Sequence, residues 1–323
     1  MSSMSKQSLF DDDFDLKPIV KWAGGKRRIM HELINRMPDG FIESCADDDN
    51  DNKILYVEPF TGSASVLFEL TPCNVIINDV NMELMNMYQQ VKDNPNDVIS
   101  MIKSWPRDKN TYLRIRSLDR VEDYLNNVDS ITRAARFIYL NKTCFNGLYR
   151  VNRDGFFNVA YAETQTTIPD YGNIINVSKY LNDNNVTVMN DDYSDVFDYL
   201  NNTIIPKHDY DNIFVYIDPP YDYDNEDYFD KYDSNGFGRN NQKGLYEEII
   251  KLIDNGNRND TRVYIMESNN DTEFITSLYS SANDGHGSAC MFNIDRIMAF
   301  RSISADKNKR GKTNEVIIRN YES

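Results

Sequence analysis

Two apolar rhythms alternate along this chain. Short unbroken runs have the length and β-branched content of strands buried on both faces: KILYVEPF (53–60), NVIINDVN (74–81), NVTVMN (185–190), NIFVYID (212–218) and RVYIMES (262–268). Helical spacing links Ile29, Leu33, Ile34 and Met37, with Pro38 closing the run, and returns in GLYEEIIKLIDNG (244–256). TGSAS (61–65) reads as a tight loop and VLFEL (66–70) as the helix leaving it, so strand, small-residue loop, helix and strand make a βαβ unit of a parallel sheet. IDRIMAF (294–300) and NEVIIRNY (314–321) supply late strands around the basic loop ADKNKRGKTN.

The rhythm changes between about Asp93 and Asn176. Helical patterns lengthen, β-branched runs thin out, and Arg and Tyr become frequent. An inserted, mostly helical lobe is expected, closing in NGLYRVNRDGFFNVAY (146–161), where Asn152 to Gly155 signal a hairpin turn. The expected organisation is an acidic tail over 1–16, a main domain from 17–92 and 177–323, and the lobe over 93–176.

Composition limits what such a molecule does. The chain has 323 residues and a net charge of −16, unlike a generic nucleic-acid coat protein. Acid gathers in Asp11 to Asp15, Asp47 to Asp51 and Asp222 to Asp233, which read as solvated tails or loops. Base gathers elsewhere, in Lys21 to Arg28, Arg133 to Arg153 and Arg296 to Arg319. Local field therefore decides binding, over a screening length of about 8 Å. Cys45, Cys73, Cys144 and Cys290 are scattered, as are His31, His208 and His286, so no metal site is expected. No apolar run approaches the roughly 18 residues of a membrane span. The opening MSSMSKQSLFDDDFD lacks the apolar stretch of a signal peptide, giving an expected cytoplasmic or nucleoid location.

Three short stretches carry chemistry. In VEPFTGSAS, Glu58 ends a strand and small residues open a helix, which lets backbone approach a ligand at the carboxyl edge of a sheet. Asp79, about 20 residues on, is placed to accept hydrogen bonds from both hydroxyls of a ribose, suggesting a nucleoside without a phosphate chain. In KWAGGK, Trp22 is a candidate to pack near that ligand and Lys26 to meet a carboxylate. In Asp218-Pro219-Pro220-Tyr221, two consecutive prolines stop a strand and hold their neighbours still. An exocyclic amine is a poor nucleophile because its lone pair is conjugated into the ring. The Asp218 carboxylate and Pro219 carbonyl suit its two N–H groups, favouring a tetrahedral nitrogen, while Tyr221 offers a stacking face.

The order Lys21-Trp22-Ala23-Gly24-Gly25-Lys26, Glu58-Pro59-Phe60-x-Gly62, Asp79, then Asp218-Pro219-Pro220-Tyr221 resembles the Dam-type (D12 class, alpha group) DNA adenine-N6 methyltransferases. Residues 136–159 and 301–321 also look like segments of that family, and the resemblance runs from about Pro18 to Tyr321. It implies a Rossmann-like α/β methyltransferase sheet with an inserted recognition lobe, S-adenosylmethionine as donor, and double-stranded DNA carrying a short GATC-like site. By the resemblance, Trp22, Lys26, Glu58, Phe60, Gly62, Asp79 and Asp218 bind the donor, and Asp218 to Tyr221 form the catalytic tetrad. Lys21, Phe145, Asn146, Leu148 and Arg150 read DNA, with Phe145 as an intercalating aromatic. Two departures stand out: Ala64 replaces a frequent second glycine, a change small in size, and Ala160 replaces a proline that helps read the target. A monomer is expected, with room for a restriction endonuclease as functional partner. A cytosine-N4 methyltransferase and a catalytically silent DNA-binding regulator are the competing readings.

Overall fold

The structure is a computed structural model that describes residues 16–45, 53–164, 166–223, 236–280, 292–300 and 312–322. The acidic stretches 11–15 and 47–51, residues 224–233, and most of the basic loop lie outside them. By its internal contacts the chain divides into two compact units. One comprises Lys26–Gly62, Leu70–Met85 and Asn184–Ser323; the other comprises Met1–Gly25, Ser63–Glu69 and Asn86–Asp183.

The first of these holds a seven-stranded sheet: β1 (Ile54–Glu58), β2 (Val75–Asn78), β3 (Val186–Met189), β4 (Asn212–Ile217), β5 (Arg262–Asn270), β6 (Asn293–Phe300) and β7 (Lys312–Arg319), in the order β3-β2-β1-β4-β5-β7-β6. The pairs from β3 through β5 are parallel, and β7 runs antiparallel to both β5 and β6. Every residue of β1, β2 and β4 is buried, as a sheet covered on both faces requires. Alternation sorts the two faces. Leu55, Val57, Ile213, Val215 and Ile217 pack with Leu245, Ile249 and Leu252 of the helix Arg239–Arg258. Phe214, from the other face, lies between Phe41 at 4.3 Å and Tyr56 at 5.9 Å. Chain progression reverses between β1 and β4, and in open α/β sheets a crevice for ligands forms at the carboxyl ends of such strands.

The region expected to be one helix from Lys26 to Met37 is instead a 3-10 turn, Lys26–Arg28, followed by the short helix Met30–Ile34. Its apolar residues still face inward: Ile29, Leu33 and Met37 are buried. The turn tightens where Lys26, unusually for a lysine, is buried.

In the second unit the helices Pro95–Lys103, Lys109–Arg116, Ser130–Thr143 and Tyr171–Asp183 dominate. Asp108 and Asp129 cap two of them by accepting from the Thr111 and Thr132 amides at 2.9 Å. Part of the expected basic cluster turns inward here: Arg133 and Arg136 are buried, and Arg136 pairs with Asp119 at 2.7 Å. Sequence pattern places the lobe at 93–176; the helical unit takes in Asn86–Asp183 together with Ser63–Glu69 and residues before Lys26. Side chains explain that reach. Asn141 accepts from the Lys21 amide and donates to the Lys21 carbonyl, both at 2.9 Å, and Asn173 holds Lys17 in the same two-way fashion.

Candidate active site

At the end of β1 the chain must turn away without leaving polar groups stranded. Glu58 is buried and accepts from the Tyr56 hydroxyl, two residues back on the same face, at 2.7 Å. Thr61 exchanges main-chain and side-chain hydrogen bonds with Asn78, whose amide group also donates to the carbonyls of Pro59 and Asp191. Gly62 follows at φ 51, a left-handed conformation natural to glycine, and its N–H donates to Asp79 Oδ2 at 3.1 Å. Asn81 N–H donates to Asp79 Oδ1 at 2.9 Å. Burial nevertheless holds the Asp79 carboxyl above the ordinary aspartate range, against those two amides. Phe60 stacks on Tyr193 and meets Phe237 edge-on.

Beside it, β4 delivers Asp218 to the same sheet edge. Lys26 Nζ lies 2.7 Å from Asp218 Oδ1 and 4.7 Å from the centre of the Tyr221 ring. Burial raises the Asp218 pKa, while the Lys26 charge and hydrogen bonds from Lys26 and Tyr221 pull it down. Burial likewise raises the Tyr221 phenol well above its ordinary value, so it stays neutral; its hydroxyl donates to Glu315 at 3.4 Å. Lys26, Glu58, Phe60, Gly62, Asp79 and Asp218 to Tyr221 thus all belong to the sheet unit.

Trp22 belongs to the helical unit, where it stacks on Tyr149 at 5.4 Å and lies 6.1 Å from Phe137. The segment beyond the helix Ser130–Thr143 has a defined shape. Phe145 donates its N–H to the Ala160 carbonyl, yet its side chain is 53% exposed, an unusual position for a phenylalanine. Asn146 and Gly147 both have positive φ, at 58 and 66. A Cβ on Gly147 would come within 2.7 Å of Lys21 Cδ, so glycine lets the two segments touch. Leu148 is half-buried, and exposed Arg150 donates from Nε to Asn158 at 2.7 Å. The hairpin arms meet through the isolated bridge Val151–Phe157, flanking hydrogen bonds and the Tyr149–Phe157 ring pair at 5.8 Å, while Asn152 Oδ1 accepts from the Asp154 and Phe156 amides.

Residues 22–303 match the model of the D12 class N6 adenine-specific DNA methyltransferases. The chain belongs to this class. It is 34% identical over 312 residues to a type II methyltransferase of Lactococcus lactis subsp. cremoris, covering 95% of this chain and 96% of the relative. A type II methyltransferase of Methanocaldococcus jannaschii is also 34% identical, over 95% and 100% of the two chains. A DNA adenine methylase of Haemophilus influenzae is 27% identical over 93% and 92%. The activity of the class is transfer of a methyl group from a donor to adenine N6 in DNA, which favours adenine over the cytosine reading. Among the described residues no helix is long and apolar enough to cross a membrane, and no group of three His, Cys, Asp or Glu could hold a metal ion.

The turn Asp218 to Tyr221 adjoins a buried polar network that local sequence pattern does not reveal. Asp222, expected as part of a solvated acidic loop, is 2% exposed. Its carboxylate accepts from Arg239 Nε at 3.0 Å, Arg239 Nη2 at 3.2 Å and Thr272 Oγ1 at 2.7 Å, so burial is matched by charge and hydrogen bonds. Glu267, Ser268, Asn269 and Asn270 end β5 and are all buried. Glu267 accepts from Asn269 at 3.0 Å and from the Tyr279 hydroxyl, and burial pushes its carboxyl up to about 7. The available signal was the run Glu-Ser-Asn-Asn directly after the apolar RVYIM.

Proposed function

We propose that this enzyme transfers the methyl group of S-adenosylmethionine to N6 of an adenine extruded from double-stranded DNA, within a short GATC-like site. The observation that carries the reading is the meeting, at one sheet edge, of Asp79 after β2, the Gly62 turn after β1 and Asp218-Pro219-Pro220-Tyr221 after β4. The donor set fits that cofactor. Asp79 keeps acceptor capacity on both oxygens for ribose hydroxyls, Gly62 permits close backbone approach, and Phe60 supplies a flat apolar wall. When bound, S-adenosylmethionine supplies an electrophilic methyl group on a positively charged sulfur.

The chain's own groups then act on the amine. The Asp218 carboxylate and Pro219 carbonyl accept its two N–H bonds, withdrawing the lone pair from the ring. The prolines hold that carbonyl in place beforehand, so little reorganisation is needed as positive charge develops on nitrogen. Lys26 fixes one Asp218 oxygen and lies over the Tyr221 ring. Tyr221 stacks on the extruded base, offsetting part of an extrusion cost of a few kcal/mol.

Phe145, Asn146, Leu148 and Arg150, with Lys21, form the reading segment. Exposed Phe145 is suited to wedge between base steps, and forked Arg150 to pair with guanine O6 and N7. Ala160, in place of the proline of GATC readers, is exposed and lends its carbonyl to Phe145, so it helps set the identity of the site. The type II names of two relatives favour a restriction endonuclease as functional partner. The test is transfer from isotopically labelled S-adenosylmethionine to DNA, followed by modification-sensitive sequencing. N6-methyladenine at one short motif is the expected product; methylated cytosine, or no transfer from this donor, refutes the reading.

A further inference from the structure

The tetrad ends at Tyr221, yet the best-anchored residues near it are the two on either side of that tyrosine. The Pro220 carbonyl accepts from Gln242 Nε2 at 2.8 Å. Asp222 is held at both main-chain groups: its N–H donates to Asn269 Oδ1 at 3.1 Å, and its carbonyl accepts from Asn270 Nδ2. Its carboxylate is held at both oxygens by Arg239 and Thr272. Asn269 joins the two anchors, since its Nδ2 donates to Gln242 Oε1 at 3.3 Å and to Glu267 Oε1 at 3.0 Å. All of Gln242, Asn269, Asn270 and Thr272 are buried.

This arrangement is costly unless something is gained. A carboxylate and several amides have been taken out of water below a turn whose prolines provide no amide of their own. A plain structural turn needs no such floor. We propose that Asp222 and Gln242 are positioning residues for methyl transfer: by fixing the backbone on both sides of Tyr221, they hold its ring and the Pro219 carbonyl in one geometry relative to the target amine. The inference rests on the reading of Asp218 to Tyr221 as the transfer site. Neither residue touches the base; each acts through the turn. A displacement near 1 Å at a reacting group costs up to about a hundredfold in rate, which sets the effect to look for.

Asp222→Asn keeps the shape and most hydrogen bonds but removes the charge that matches Arg239, which is itself 44% exposed and readily rehydrated. Gln242→Met keeps the volume and removes the donor to Pro220. Pre-steady-state methylation with S-adenosylmethionine and DNA both saturating and in excess gives a burst whose rate is the rate per active site and whose amplitude is the active fraction. The expected result is a fall of tenfold or more in the per-site rate for both variants, with donor affinity by calorimetry within twofold of wild type. A merely structural role would lower burst amplitude and Tm and leave the per-site rate unchanged, which overturns the proposal. If Asp222→Asn does not fold, Gln242→Met alone decides by the same readout. Asp218→Ala run in parallel separates the two levels. If it retains turnover, the reading of the tetrad has failed; if it is inactive while the other variants match wild type, only the positioning role has failed.

Discussion

The turn after β4 and the segment from Phe145 to Arg150 are proposed for different tasks on DNA, and they are built in opposite ways. Around Asp218 the polar groups are partnered, and Lys26, Asp222, Gln242 and Thr272 are buried: Lys26 meets Asp218 at 2.7 Å, Gln242 holds the Pro220 carbonyl, and Arg239 and Thr272 hold Asp222. In the segment proposed to read DNA, Phe145, Asn146 and Arg150 are exposed, and Arg150 donates from its side chain to Asn158. Chemistry on a conjugated amine needs fixed dipoles, and fixing dipoles requires burial and a network. Reading a groove needs reach, so long side chains stand in water until DNA replaces it. The difference predicts that substitutions near Asp218 change rate, whereas substitutions at the reading edge change selection among sites.

The largest effect is expected at the buried turn. Asp218→Ala should lose nearly all turnover while still binding DNA; turnover within about tenfold of wild type would remove Asp218 from the chemistry. Tyr221→Ala should lose a stack worth roughly 1–3 kcal/mol, about five- to 150-fold in rate. Asp79→Ala should instead weaken donor binding measured by calorimetry without DNA. An unchanged affinity would remove Asp79 from the ribose role and leave the rate predictions standing.

A second consequence of burial is pH dependence. Burial raises the Glu267 carboxyl from 4.5 to about 7. A group raised in the folded state contributes stability that is fully present below its unfolded value and is lost as pH rises through the folded one. Stability should therefore decline between about pH 4.5 and 7 by an amount on the order of a few kcal/mol from this group. Glu267→Gln, measured by denaturant titration across that window, should flatten the decline. A variant with the wild-type slope would show that Glu267 is not its source.

The same contrast explains what the sequence made legible. Fully buried parallel strands announce themselves as unbroken apolar runs, and diproline marks a strand end without ambiguity, so β1, β2, β4 and β5 and the position of the tetrad were readable. The polar floor was not. Asp222 opens a run rich in acid and has the composition of a solvated loop; only Arg239, seventeen positions on, and Thr272, fifty positions on, turn it into a buried clamp. Glu267 to Asn270 continue a strand with residues that normally end one. Long-range partners cannot be seen from local pattern, and this buried polar network is joined mainly by them. Nor does pattern show a backbone angle: Ala64 looked close enough to glycine in size, yet it sits at φ 55.

At the exposed edge the expected effects are smaller and selective. If Arg150 reads guanine, Arg150→Ala should relax preference at one base pair by about 1–3 kcal/mol and leave other positions intact. If it holds only phosphate, all sequences should weaken alike and the salt slope should fall by about one unit. Competitive methylation of a site library at two salt concentrations distinguishes these, and an unchanged profile at both would take Arg150 out of the interface.

The smallest effect concerns Ala64, on the loop that leaves β1. A non-glycine residue in the left-handed region bears a penalty of roughly 1–2 kcal/mol, because its Cβ crowds the following carbonyl oxygen. Glycine removes that penalty but loses about 0.5–1 kcal/mol more backbone entropy on folding. The difference is small, so Ala64→Gly should stabilise the protein by no more than about 1.5 kcal/mol. Thermal unfolding of the variant reads the sign directly. Destabilisation would mean that the Ala64 methyl, which is fully buried, contributes more by packing than its backbone conformation costs. The left-handed angle would then be held by the packing around it.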